Sequence, residues 1–143
     1  MSLKPSHRRK ARHYGVQAIY QWQMSGNSLA DIENQFIETI NPNKVEVPYF
    51  LAIIRGVLTE LSSLDAHITP HIDRTIDEVD PVERAVLRLS VWELEQRQDI
   101  PYRVVINEAL ELAKVFGAED GHKYVNGVLD KIAKLLRPLE VRS

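Results

Sequence analysis

Residues 80–96, DPVERAVLRLSVWELEQ, decide the fold. Asp80 can cap a helix start, Pro81 suits the first helical position, and Glu83 stands where the second half of a capping box belongs. Beyond that start, Val82, Ala85, Val86, Leu87, Leu89, Val91, Trp92 and Leu94 spread around nearly the whole helical circumference. A helix apolar on most sides is stable only when other elements surround it, so this one is predicted to be central.

The sequence on either side supplies the surrounding elements. Downstream, IPYRVVINEALELAKVFG (100–117) places Val105, Ala109, Leu112, Ala113 and Phe116 on one face, with Gly117 as a C-cap. EDGHKYVNGVLDKIAKLLRP (119–138) follows, with Val125, Val128, Leu129, Ile132, Leu135 and Leu136 as its buried face and Pro138 as its limit. Gly127 inside that helix costs about 1 kcal/mol against alanine, which predicts close packing there as compensation.

Upstream, SLDAHITPHI (63–72) is a short piece ended or kinked by Pro70, and a helix from Pro48 carries Phe50, Ile53, Ile54, Val57, Leu58 and Leu61. NPNKVEVP (41–48) reads as a loop. NSLADIENQFIETI (27–40) offers Ser28 as N-cap, with Asp31 in the box position and Leu29, Ile32, Phe36 and Ile40 inward. In the opening segment Ala11, Tyr14, Gly15, Ala18 and Trp22 form an apolar stripe with Arg8 and Arg12 at its margin. No stretch alternates with the period of a strand. The expectation is an all-α fold, one domain over 1–143 with short tails at 1–6 and 139–143, and six or seven helices.

Composition narrows the class. The chain has 143 residues, 44% of them hydrophobic, and no cysteine, so it can fill a core but carries neither disulfide nor thiolate metal site. No apolar run approaches the roughly 20 residues a membrane span needs, and no secretory signal pattern opens the chain. A soluble, cytoplasmic protein is expected. His67 and His71 have i,i+4 spacing but no third ligand, so surface histidines are expected rather than a metal site. Asp120 near His122 lacks a nucleophile, and no Walker loop, GxGxxG or GxSxG is present. No enzyme activity, metal or cofactor is expected.

Charge is uneven. Residues 1–12 carry five cations and no acid, in a chain of 18 basic and 20 acidic residues. Arg8, Arg9, Lys10 and Arg12 fall on the first turns of a docked helix that also carries Tyr20, which points to a polyanion-binding end, although a solvated basic tail has the same composition. A second candidate surface is the helix start around His122, Lys123, Tyr124 and Asn126, where donors and a ring suit single-stranded RNA. An ordinary capped helix accounts for most of the same residues. For Asn107 and Glu108, hydrogen bonding between helices is the simpler reading.

Three segments together, RRKARHYGVQAIYQW, VDPVERAVLRLSVWEL and IPYRVVINEALELAKVFGAEDGHKYVNGVLDKIA, resemble the NusB family of bacterial transcription antitermination factors from Arg8 to Pro138. The resemblance implies an all-helical fold of two small bundles without catalytic activity. It also implies a partner, the ribosomal protein NusE, and a ligand, the single-stranded boxA element of nascent RNA from ribosomal RNA operons. Other Nus factors and RNA polymerase would be engaged indirectly. By position, the family's RNA contacts fall on Arg8, Arg9, Lys10, Arg12, Tyr20, Asp120, Lys123 and Tyr124, and the NusE face on Asp77, Glu78 and Glu83. Many relatives carry phenylalanine at Tyr124, and Gly121 stands where serine is expected. On this reading, changing Arg8, Arg9 and Arg12 together to alanine weakens RNA binding without lowering the melting temperature. The competing readings are a helical protein-interaction scaffold, which includes a homodimer, a ribosome-assembly factor on the same partner, and the related domain fused to RNA cytosine methyltransferases. The last is disfavoured because the chain ends at Ser143 without cysteine.

Overall fold

A computed structural model describes residues 4–142. The described residues form eight α-helices: α1 (Pro5–Ser25), α2 (Leu29–Thr39), α3 (Val47–Thr59), α4 (Leu61–Ile68), α5 (Pro81–Gln96), α6 (Tyr102–Phe116), α7 (Gly121–Leu136) and α8 (Pro138–Val141). Single 3₁₀ turns lie at Thr69–His71 and Ile76–Glu78, and no strand occurs among the described residues.

The helices assemble as two bundles. In the first, α1 packs on α2 and α3 around Ile19, Phe36, Phe50 and Ile53; in the second, α5, α6 and α7 pack on one another, with α4 against α5. The two share α1 and α5, which lie against each other. Every residue from Arg84 to Leu94 is buried, so α5 is the central rod its all-round apolarity requires.

Local chemistry sets the boundaries. The Asp80 carboxylate accepts from the N–H of Val82 and Glu83 at 2.9 and 3.2 Å, and the Ser28 hydroxyl accepts from Asp31 N–H at 3.2 Å. The full reciprocal box forms elsewhere, between Thr75 and Glu78. Gly26 ends α1 at φ 71°, a left-handed conformation that only glycine takes without strain. Gly117 ends α6 in extended backbone instead. At Gly56 a Cβ would lie 2.2 Å from Trp92 Nε1, so its missing side chain lets α3 close on α5.

Three expectations are corrected. Gly127 faces open space, with nothing within 4 Å of where a Cβ would stand, so no packing offsets its helical cost. Leu135 is exposed because it falls on the outer side of α7. Helix α1 begins at Pro5, inside the stretch assigned to a tail. No single helix is long and apolar enough to cross a membrane among the described residues.

Candidate nucleic-acid and partner interface

The start of α1 is held to the body by its own arginines. Arg8 makes a bidentate pair with Glu46, its Nε 3.0 Å from Oε1 and its Nη2 2.8 Å from Oε2, and its guanidinium lies 4.2 Å from the centre of the Tyr49 ring. That pairing raises the Arg8 pKa further, against the opposing effect of burial. Arg97 approaches the same ring at 4.9 Å and pairs with Asp99 at 3.0 Å. Arg9 reaches α6, where Glu108 takes its guanidinium at 3.2 Å, and is more than half exposed.

Arg12 lies inward of the stripe margin at which the sequence placed it. It is 4% exposed and its Nε lies 2.9 Å from Oε2 of Glu93, itself 1% exposed, so its guanidinium faces the core of the bundle junction. The Tyr49 hydroxyl donates to the same carboxylate. Burial pushes the Glu93 carboxyl above its ordinary range, with Arg12 opposing it, and burial followed by the Glu93 charge pushes the Tyr49 phenol up. A guanidinium so enclosed fastens α1 to α5 and presents no open face to a phosphate. The spacing Arg12, Val16 and Ile19, all buried, is the helical signal that could have placed it inward. Lys10 is exposed and carries no ion pair among the described residues.

The α7 start forms a second cluster. Lys123 and Asp120 pair at 3.2 Å, both well exposed. Tyr124 is half-buried, its hydroxyl has no hydrogen-bond partner among the described residues, and Arg74 lies 5.1 Å from the centre of its ring. Burial raises the Tyr124 phenol pKa, with Arg74 opposing. The buried His122 Nδ1 likewise lacks a partner among the described residues. Sequence reasoning missed Arg74, which comes from the loop before α5, about 50 residues away in the chain; no local spacing signals it.

Glu83 sits against this cluster. Its Oε2 would lie 3.0 Å from a Cβ on Gly121, so the glycine gives the carboxylate room at the start of α7. Burial, then the charge of Asp80, raises its pKa, while Arg74 lowers it. Asp77 and Glu78 lie on the 3₁₀ turn just upstream, whose carbonyls at Ile76, Asp77 and Val79 accept from the buried Arg84 Nη1 at 3.3, 3.0 and 3.5 Å.

The two clusters are joined along α6. Arg9 meets Glu108 and the His13 ring packs edge-on against Phe116 at 5.5 Å, at the end of that helix. Phe116 then lines a groove of about 460 Å³ with Tyr20, Met24 and Val82, the neighbour of Glu83. Tyr20 is 38% exposed at its rim. The polar pair in α6 divides: Glu108 bridges helices, as read from sequence, and Asn107 is exposed. His67 is spent on Glu95, with 2.6 Å between Nε2 and Oε2. No group of three metal-ligating side chains exists among the described residues.

Fold and surfaces define a class: an all-helical, two-bundle protein that carries exposed basic and aromatic side chains along open grooves and helix starts. The model of the NusB family matches residues 9–134. The chain is 58% identical over 130 residues to the transcription antitermination protein NusB of Shewanella piezotolerans, covering 91% of this chain and 96% of that one. It is 54% identical to the protein of that name from Colwellia psychrerythraea, covering 96% and 100%. The chain belongs to the NusB family. Among solved structures, T. maritima NusB superposes with a TM-score of 0.84 at 31% identity over the full length of both chains. A crystal structure of the antitermination factors NusB and NusE in complex with dsRNA contains a chain matching at TM-score 0.82 and 27% identity, covering 92% and 99%.

Proposed function

We propose that this protein is a transcription antitermination factor that pairs with NusE, binds the single-stranded boxA element of nascent ribosomal RNA transcripts, and helps RNA polymerase read through terminators. The observation that carries the proposal is its likeness, over 92% of its length, to a chain of a structure solved with NusE and dsRNA. The solved relative holds dsRNA. The single-stranded reading rests on the ring of Tyr124, braced by Arg74, which suits an unstacked base.

In this reading Arg8, Arg9 and Lys10 meet phosphates, Lys123 adds a charge, and Tyr124 stacks, with Asp120 orienting Lys123 and Tyr20 at the groove rim. Arg12 acts as a positioning residue by holding the head on Glu93. The acidic face of Asp77, Glu78 and Glu83 complements a basic ribosomal protein. No reaction is assigned to any of these groups.

Fluorescence anisotropy on boxA RNA, a scrambled strand and a boxA duplex tests the reading. Neutralising three to five phosphates of a single strand predicts a log–log salt slope of about −2 to −4. NusE is expected to tighten boxA binding at least tenfold, about 1.4 kcal/mol of coupling. Equal affinity for boxA and its scramble, or additive binding of NusE and RNA, refutes it, and no affinity for any of the three RNAs leaves a protein-interaction scaffold.

A further inference from the structure

The head arginines are answered one by one by carboxylates of the body: Glu46 holds Arg8, Glu108 holds Arg9 and Glu93 holds Arg12. The uncompensated cations of this end are elsewhere. Lys10 and Lys44 are exposed and carry no ion pair among the described residues, and both line a pocket of about 420 Å³ between α1 and the turn that enters α3. His13, Tyr14, Gln17 and Asn41 line it as well, and no acidic side chain does. Two free ammonium groups over an acid-free pocket attract one kind of ligand, an anion.

The turn carrying Lys44 is fixed. Asn41 Oδ1 accepts from Asn43 N–H at 2.9 Å, and the Asn41 carbonyl accepts from the N–H of Lys44 and Val45 at 3.0 and 3.2 Å. Ile40 and Val45 are buried on either side of it. The Glu46 N–H bonds to the His7 carbonyl at 3.1 Å, tying the turn to α1. The backbone under Lys44 is therefore held in place while its ammonium remains free.

The rest of the lining suits a nucleotide rather than a bare phosphate. The Gln17 amide donates to the His13 carbonyl at 3.2 Å, which leaves its Oε1 open, and the Asn41 amide N–H₂ is unclaimed. The His13 ring, braced by Phe116, is a flat face beside them. Burial lowers its pKa, with the Glu108 charge opposing and Arg9 adding to it. Cations, a stacking ring and free amide groups in one concavity are the means by which proteins hold single-stranded RNA.

We propose that this pocket seats one nucleotide of the RNA strand flanking boxA, its phosphate on Lys10 and Lys44 and its base against His13, a site that rests on the RNA-binding reading above. It extends the strand's footprint beyond the head and α7. Lys44 is the residue that separates this pocket from the rest, because it lies on neither surface.

The test compares minimal boxA RNA with boxA carrying three-nucleotide extensions at either end, on the full chain and on Lys44→Ala. One extension is expected to tighten binding to the parent about three- to tenfold and steepen its salt slope by roughly 0.7, the value of one single-strand phosphate. Lys44→Ala is expected to abolish that gain while binding minimal boxA as the parent does, and Lys44→Glu to turn the gain into a loss. An unchanged melting temperature for both variants excludes misfolding. A parent that gains nothing from either extension, or a Lys44→Ala that keeps the gain, overturns the pocket. Weakened NusE binding by Lys44→Ala with RNA binding intact makes the pocket a protein contact and also overturns it. Failure of minimal boxA to exceed its scramble is a different result: it removes the RNA-binding reading itself.

Discussion

Arg12→Ala is expected to destabilise the protein while leaving RNA binding by the folded fraction nearly intact. The substitution strands the Glu93 carboxylate, 1% exposed, with the Tyr49 hydroxyl as its remaining side-chain partner among the described residues. Removing one member of a buried ion pair costs about 3–5 kcal/mol, because the remaining charge cannot reach water. Domains of this size melt about 3 °C lower per kcal/mol lost, so the melting temperature should fall by roughly 10 °C. Glu93→Gln in the Arg12→Ala background removes the stranded charge and still accepts from Tyr49; more than half of the lost stability should return. Urea unfolding of parent, both single variants and the double variant gives the coupling directly. A loss below about 1 kcal/mol for Arg12→Ala, or no recovery on adding Glu93→Gln, refutes the account. The triple alanine variant at Arg8, Arg9 and Arg12 therefore reports stability as much as binding, and Arg8→Ala with Arg9→Ala is the cleaner probe of the head.

Glu108→Gln frees the exposed Arg9. RNA affinity at low salt should rise a few-fold at a stability cost of about 0.2–1 kcal/mol, read by anisotropy and urea melts, and unchanged affinity would show that Arg9 does not meet RNA. Gly56→Ala drives a methyl into the Trp92 indole and should cost about 1–3 kcal/mol or more, whereas Gly127→Ala faces open space and should gain up to about 1 kcal/mol; paired thermal melts check both signs. Glu140 accepts from Tyr102 N–H at 2.9 Å, which lowers its pKa, with the Arg137 hydrogen bond adding to this against burial. A depressed carboxylate stabilises above its unfolded pKa of about 4.3 and loses that contribution as pH falls through the folded value. Glu140→Gln should therefore melt below the parent at pH 7, with the gap closing under acid; a gap independent of pH rules out the charge.

What could be read from the sequence was what repeats locally. Residues 80–96 displayed apolar groups on every side, and α5 is buried from Arg84 to Leu94. Asp80 and Ser28 capped as their types predict, because a cap is a matter of three neighbouring residues. The site was legible only as residue types. Arg8, Arg9 and Arg12 looked alike in the chain, yet their partners Glu46, Glu108 and Glu93 stand 38, 99 and 81 residues away. Charge on a helical wheel does not say whether an acid of another helix waits opposite it. The tertiary pairing sorts them: Arg12 into the core, Arg8 half-covered on the Tyr49 ring, Arg9 exposed but engaged.

That sorting has a consequence for binding. The Glu46 side chain is 9% exposed and that of Glu108 13%, so a phosphate that draws Arg8 or Arg9 away leaves an acid poorly placed to find water. A polyanion must therefore make up for that desolvation before it gains from the arginines, whereas Lys10 and Lys44 are open to it without such a cost. Long-range attraction belongs to the free lysines, and the paired arginines reward only a strand held closely enough to replace both carboxylate oxygens of each pair.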